Sequence, residues 1–169
     1  MENRPDHLRW LHISDLHAGQ DTQDWLWPTL QTNFFEDVGR VVRSMGGVDL
    51  VIFSGDLTQR GTPDNFEFLE RLLGSLWERF DELGARPSLF MVPGNHDLVR
   101  PDPDNPVAVA LGAWWENARI KDAFWKSETG PYREFIHGLF ANYTSFRQRL
   151  IAKGFPLCNE SDGESPRLS

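Results

Sequence analysis

Residues 48–61 read Val-Asp-Leu-Val-Ile-Phe-Ser-Gly-Asp-Leu-Thr-Gln-Arg-Gly. The first seven are nearly all apolar, which predicts a strand covered on both faces. The run stops at Ser54-Gly55-Asp56, where a glycine lets the chain turn sharply and leaves a carboxylate at the strand's carboxyl end. Two other short apolar runs end the same way. Residues 8–14 give way to Asp15-Leu16-His17, and residues 87–92 give way to Pro93-Gly94-Asn95-His96-Asp97.

Helical periods fill the gaps between these runs. Leu30, Phe34, Val38, Val41, Val42 and Met45 recur at three- and four-residue steps until Gly46-Gly47. Thr62-Pro63 is a helix start, and Phe66, Leu69, Leu73, Leu76, Trp77, Phe80 and Leu83 form one stripe that ends at Gly84. Strand, helix, strand, helix, strand predicts consecutive right-handed βαβ units and a parallel sheet, an α/β fold. Three prolines in residues 100–106 exclude regular structure there. Beyond them the pattern predicts an aromatic-rich helix over 107–126, a second over 132–153, and a polar, frayed tail after Gly154. No strand is expected after Val92.

At 169 residues the chain has the length of one domain with a real core. Its net charge of −8 disfavours non-specific nucleic-acid binding, although residues 114–153 are locally basic. The single cysteine, Cys158, excludes a disulfide scaffold, and no apolar run approaches a membrane span. The expected location is cytoplasmic, with no membrane partner.

In open α/β sheets ligands bind beyond the carboxyl ends of the strands. Three adjacent strands bring Asp15, His17, Asp56, Asn95, His96 and Asp97 to one rim. Carboxylate, imidazole and amide oxygen suit divalent Mn, Fe or Zn. On an extended segment residues two apart project the same way, so Asp15 and His17 are expected to grip one ion. Arg60 and Arg100 flank this rim as weaker candidates for binding phosphate.

Asp-x-His at 15–17, Gly-Asp-x-x-x-x-Gly at 55–61 and Gly-Asn-His-Asp at 94–97 stand 41 and 39 residues apart, counted from Asp15 to Asp56 to Asn95. The set resembles the calcineurin-like metallophosphoesterase family, of the bacterial type. The resemblance implies a phosphomonoester or phosphodiester hydrolase using hydroxide activated at two divalent metal ions. Asp15 and His17 would hold the first metal, Asp56 would bridge, and Asn95 would hold the second. Asn95 and His96 would contact the substrate. His96 would protonate the leaving group or steady the phosphoryl charge, and Asp97 would orient its imidazole.

The family's further motifs, a lone His and a Gly-His-x-His, are not among the five histidines at 7, 12, 17, 96 and 137. The expectation is therefore an incomplete or truncated copy, whose site a partner chain or a missing C-terminal half completes. The implied architecture is the βαβαβ half of an αββα sandwich over residues 8–100, a helical extension over 101–154, and tails at 1–7 and 155–169. The alternatives are a catalytically degenerate binding or scaffold module of the same fold, and a nuclease guided by the basic helix at 132–153.

Overall fold

The computed structural model describes residues 7–19, 27–126 and 129–158; of the expected tails at 1–7 and 155–169, residues 1–6 and 159–169 lie outside them. Three strands form one parallel sheet in the order β1 (Trp10–Ile13), β2 (Leu50–Phe53), β3 (Ser88–Met91). Trp10 pairs with Leu50 and Leu50 with Ser88, so the strands start and finish level. Their carboxyl ends therefore open side by side.

The connections are α1 (Trp27–Met45) and α2 (Pro63–Glu82). Thr62 caps α2 as its sequence predicts, its side chain accepting from the Asn65 amide, with Pro63 in the first turn. Crossovers of one hand between strands in sequential order return on the same side of the sheet. Val38 and Val42 of α1 and Phe66, Leu69, Leu73, Leu76 and Phe80 of α2 accordingly share one core with Val51, Phe53, Leu89 and Met91. The expectation that β2 is covered on both faces is corrected. Leu50, Ile52, Ser88 and Phe90 on the opposite face are only half-buried, and Trp10 there is 57% exposed.

The helical part also differs from its reading. The expected helix over 107–126 is two, α3 (Pro106–Gly112) and α4 (Ala118–Lys126). Asn117 restarts the chain, its side chain accepting from the amides of Arg119 and Ile120. The expected helix over 132–153 breaks at Phe140 into α5 (Pro131–Leu139) and α6 (Ala141–Ala152). There the Leu139 carbonyl, the last of α5, accepts instead from the Val99 amide at 2.9 Å.

Helix α6 lies along α2. Phe146 stacks on Phe66 with ring centroids 5.1 Å apart, and both are fully buried. Glu70 joins the two helices, meeting Arg149 Nε at 2.8 Å and Lys153 Nζ at 2.5 Å. Burial pushes the Glu70 carboxyl up, but these two cations together hold it below its ordinary value. Nor is the tail frayed where it begins. Residues 155–158 follow the outer edge of β3, with Leu89 N donating to Pro156 O at 2.7 Å and Cys158 N donating to Leu89 O at 2.8 Å. Phe155 packs on Trp77, their centroids 5.5 Å apart.

At the far end of the sheet Arg9 clasps Asp49. Its Nε and Nη2 reach the two carboxylate oxygens at 2.9 and 2.8 Å. This paired hydrogen bonding holds the Asp49 carboxyl at about 2. No helix among the described residues is long and apolar enough to cross a membrane.

Candidate metal centre

The loops after β1 and β2 run on together beyond the sheet. Asp15 N donates to Gly55 O at 3.2 Å, His17 N to Asp56 O at 3.0 Å and Ala18 N to Leu57 O at 2.9 Å; Gln59 N returns to Ala18 O at 3.1 Å. This main-chain ladder sets the spacing of the side chains it carries. Ligand atoms of Asp15, His17 and Asp56 lie within 4.8 Å of one another.

The backbone at these positions departs from the sequence reading. Asp15 and His17 do not project from an extended segment: their φ angles are +55° and +47°, and that of Asp56 is +50°. Among the described residues these three are the only non-glycine residues in the left-handed region. That conformation costs roughly 1–3 kcal/mol per residue and persists only where the surroundings enforce it. The strain falls on the side chains whose ligand atoms converge.

The donor set fits a divalent ion. Two carboxylates and an imidazole are ordinary ligands for Mn, Fe or Zn. His17 Nδ1 is buried and has no hydrogen-bond partner within the protein. A buried ring nitrogen without a protein partner costs free energy, while the other nitrogen, Nε2, stands 3.9 Å from Asp15 Oδ1.

The β3 loop closes over this group. Asp56 Oδ1 accepts from the His96 amide at 2.9 Å. A Cβ on Gly94 would collide with the Asp56 carboxylate, so glycine is what allows this approach. Asn95, one residue before that amide, is exposed at the turn. The His96 ring lies edge-on to that of His17, with centroids 4.6 Å apart.

Asp97 differs most from its implied role. It is fully buried, and both oxygens are engaged by main chain and hydroxyl. Oδ1 accepts from Thr58 N at 2.7 Å and Thr58 Oγ1 at 2.9 Å, and Oδ2 from Leu57 N at 3.0 Å and Gly94 N at 2.8 Å. The atom facing His96 Nδ1 is instead the Gln59 carbonyl, at 2.9 Å. A carbonyl only accepts, so Nδ1 carries a proton and Nε2 is left to face outward from this bond. Asp97 thus ties the β2 loop to the β3 loop, while Gln59 orients the imidazole.

Thr58 and Gln59 were not singled out by the sequence. Thr58 is fully buried and its hydroxyl also accepts from Gly61 N at 3.1 Å. Its one signal was its place inside Gly-Asp-x-x-x-x-Gly; Gln59 acts through a carbonyl that every residue has. From the helical side, Asn142 Nδ2 donates to Gly61 O at 2.8 Å and the Tyr143 hydroxyl to Met91 O at 3.2 Å. Burial pushes the Tyr143 phenol up to about 12.

The three motif loops thus converge on one cluster, and the family model for calcineurin-like phosphoesterases (Metallophos) matches residues 8–162. The chain belongs to the calcineurin-like phosphoesterase family. The match takes in the helices α3–α6 as well as the three motif loops, so it extends past the 8–100 stretch that carries the motifs. No curated protein matches the chain. The family is one of phosphoester hydrolases, and Asp15, His17 and Asp56 form the candidate metal-binding group among the described residues.

Proposed function

We propose that the protein is a metal-dependent phosphoesterase that hydrolyses a phosphomonoester or phosphodiester at the rim formed by Asp15, His17, Asp56, Asn95 and His96. The observation that carries this reading is the convergence of ligand atoms of Asp15, His17 and Asp56 within 4.8 Å of one another, with His17 Nε2 3.9 Å from Asp15 Oδ1. Asp15 and His17 would hold a first divalent ion, Asp56 would be shared with a second, and Asn95 would help hold that second ion through its amide oxygen. Bound there, the ions supply a water of lowered pKa and neutralise charge on the phosphoryl oxygens.

The remaining work falls to the chain's own side chains. His96, its Nδ1 proton held by Gln59 O, would as the imidazolium carry a second proton on Nε2, to be given to the departing alkoxide or hydrogen-bonded to a phosphoryl oxygen. Asp97 keeps the two loops in register beneath the site without touching the reacting atoms.

The test is direct. Purified protein is titrated with Mn²⁺ and assayed on bis(4-nitrophenyl) phosphate and 4-nitrophenyl phosphate. Metal-dependent release of nitrophenol, abolished in Asp56→Asn, is the expected result. Metal binding without turnover would favour the second reading, a binding module of the same fold.

A further inference from the structure

A cavity of about 370 Å³ lies beside the cluster, lined by Gln59, Arg60, His96, Leu98 and Arg100. His96 belongs to both places. Its ring stands 4.6 Å from His17 and is also one wall of the cavity. One imidazole thus borders both the cluster and this space.

The charged lining has one sign. Arg60 comes from the β2 loop and Arg100 from just beyond the β3 loop, and among the described lining residues there is no carboxylate. In a chain of net charge −8 that is a local reversal. Guanidinium groups offer paired N–H donors that match phosphate oxygens. Leu98 adds a short apolar wall, and the Gln59 carbonyl is taken by His96 Nδ1.

We infer that this cavity is a subsite for a second phosphate group of the substrate, distinct from the one hydrolysed. The inference rests on the phosphoesterase reading, because it takes the scissile phosphoryl to sit at Asp15, His17 and Asp56. The favoured substrates are then phosphate esters with another phosphate a few ångströms away, and simple esters are poor ones. The distinction lies in KM, since the second phosphate takes no part in bond breaking.

Thymidine 5′-(4-nitrophenyl phosphate) and its 3′-phosphorylated counterpart share the scissile ester and differ by one phosphate. With Mn²⁺, the 3′-phosphate lowers KM by about tenfold or more, the size of one or two charge-assisted hydrogen bonds. In the double variant Arg60→Ala/Arg100→Ala the ratio of the two KM values falls to near one, whatever happens to the absolute rates. Arg60→Lys/Arg100→Lys recovers part of the preference, because charge returns without the paired donors. A wild-type ratio near one, or an equal ratio in wild type and double alanine variant, overturns the subsite.

Calorimetric binding of thymidine 3′,5′-bisphosphate against thymidine 5′-phosphate gives the same ratio without turnover. A protein that binds Mn²⁺ but hydrolyses neither ester is therefore still decided by it. A protein that binds no Mn²⁺ refutes the phosphoesterase reading separately. The subsite is then judged on whether bisphosphate binding is lost in the double alanine variant.

Discussion

Asp97 Oδ1 sits 2.7 Å from the Thr58 main-chain nitrogen and 2.9 Å from the Thr58 hydroxyl, with no solvent reaching either residue. Two loops that begin on different strands are joined there. Asp97→Ala leaves the Leu57, Thr58 and Gly94 amides without their acceptor and is expected to cost about 3–5 kcal/mol. Thr58→Val keeps the main-chain bond and loses only the hydroxyl, at about 1–2 kcal/mol. Urea unfolding of both variants measures the difference; equal losses would mean that the hydroxyl is the whole connection.

Asp56 receives the His96 amide on one oxygen and faces the cluster. Asp56→Asn keeps the shape and removes the charge. Mn²⁺ affinity is expected to fall by about 100-fold or more, beyond the 10–100-fold usual for an outer-shell partner. Isothermal titration calorimetry of wild type and variant checks it, with circular dichroism confirming that both are folded.

In the metal-free protein Asp15 and Asp56 crowd two negative charges, and Asp15 holds a left-handed backbone. Asparagine tolerates that conformation and carries no charge. Asp15→Asn is therefore expected to raise the metal-free Tm by a few degrees, roughly 0.5–1 kcal/mol, while weakening Mn²⁺ binding. Thermal scans with and without Mn²⁺ should move in opposite directions. A variant less stable in both conditions contradicts the account.

The Arg9–Asp49 clasp sets the acid side of the stability profile. The Asp49 carboxyl is at about 2 when folded and near 3.8 when free, so the unfolded chain binds the proton first. The clasp contributes fully above about pH 4 and is lost as pH falls towards 2. Carbon-detected NMR titration of Asp49 should show a midpoint near 2, returning towards 4 in Arg9→Gln.

Tyr143 sets the alkaline side. Its phenol stays protonated to about pH 12 when folded but ionises near 10 when unfolded. Its contribution is complete below pH 10 and is lost as pH rises through the folded value. Tyr143→Phe should flatten stability between pH 10 and 12, at the cost of about 1 kcal/mol for the bond to Met91 O. Denaturant midpoints across that range test the sign.

The strands and helices α1 and α2 were legible because local signals agreed with the tertiary fold: apolar runs, the Thr62-Pro63 start, the Gly84 stop. The break at Phe140 was not. Phe135, Leu139, Tyr143, Phe146 and Leu150 keep helical spacing straight across it. What accompanies the break is the distant amide of Val99 on the Leu139 carbonyl, which leaves no trace in the local pattern. At the candidate site the ligand types and their places at strand ends could be read, but the left-handed backbone beneath them could not. The partner of His96 escaped for a related reason. An aspartate beside a histidine is conspicuous in sequence, whereas a main-chain oxygen 37 residues away is not.

The ladder from Asp15, His17 and Ala18 to Gly55, Asp56 and Leu57 is made only of amide and carbonyl groups. Every residue but proline has both. The side chains of the strands beneath can therefore drift in identity without shifting the ligands against each other, so long as the apolar pattern holds. Random mutagenesis should find β1 and β2 permissive to apolar exchange and Asp15, His17 and Asp56 intolerant of replacement. In such a molecule the chemistry is inherited through a few letters, and the geometry through the polymer itself.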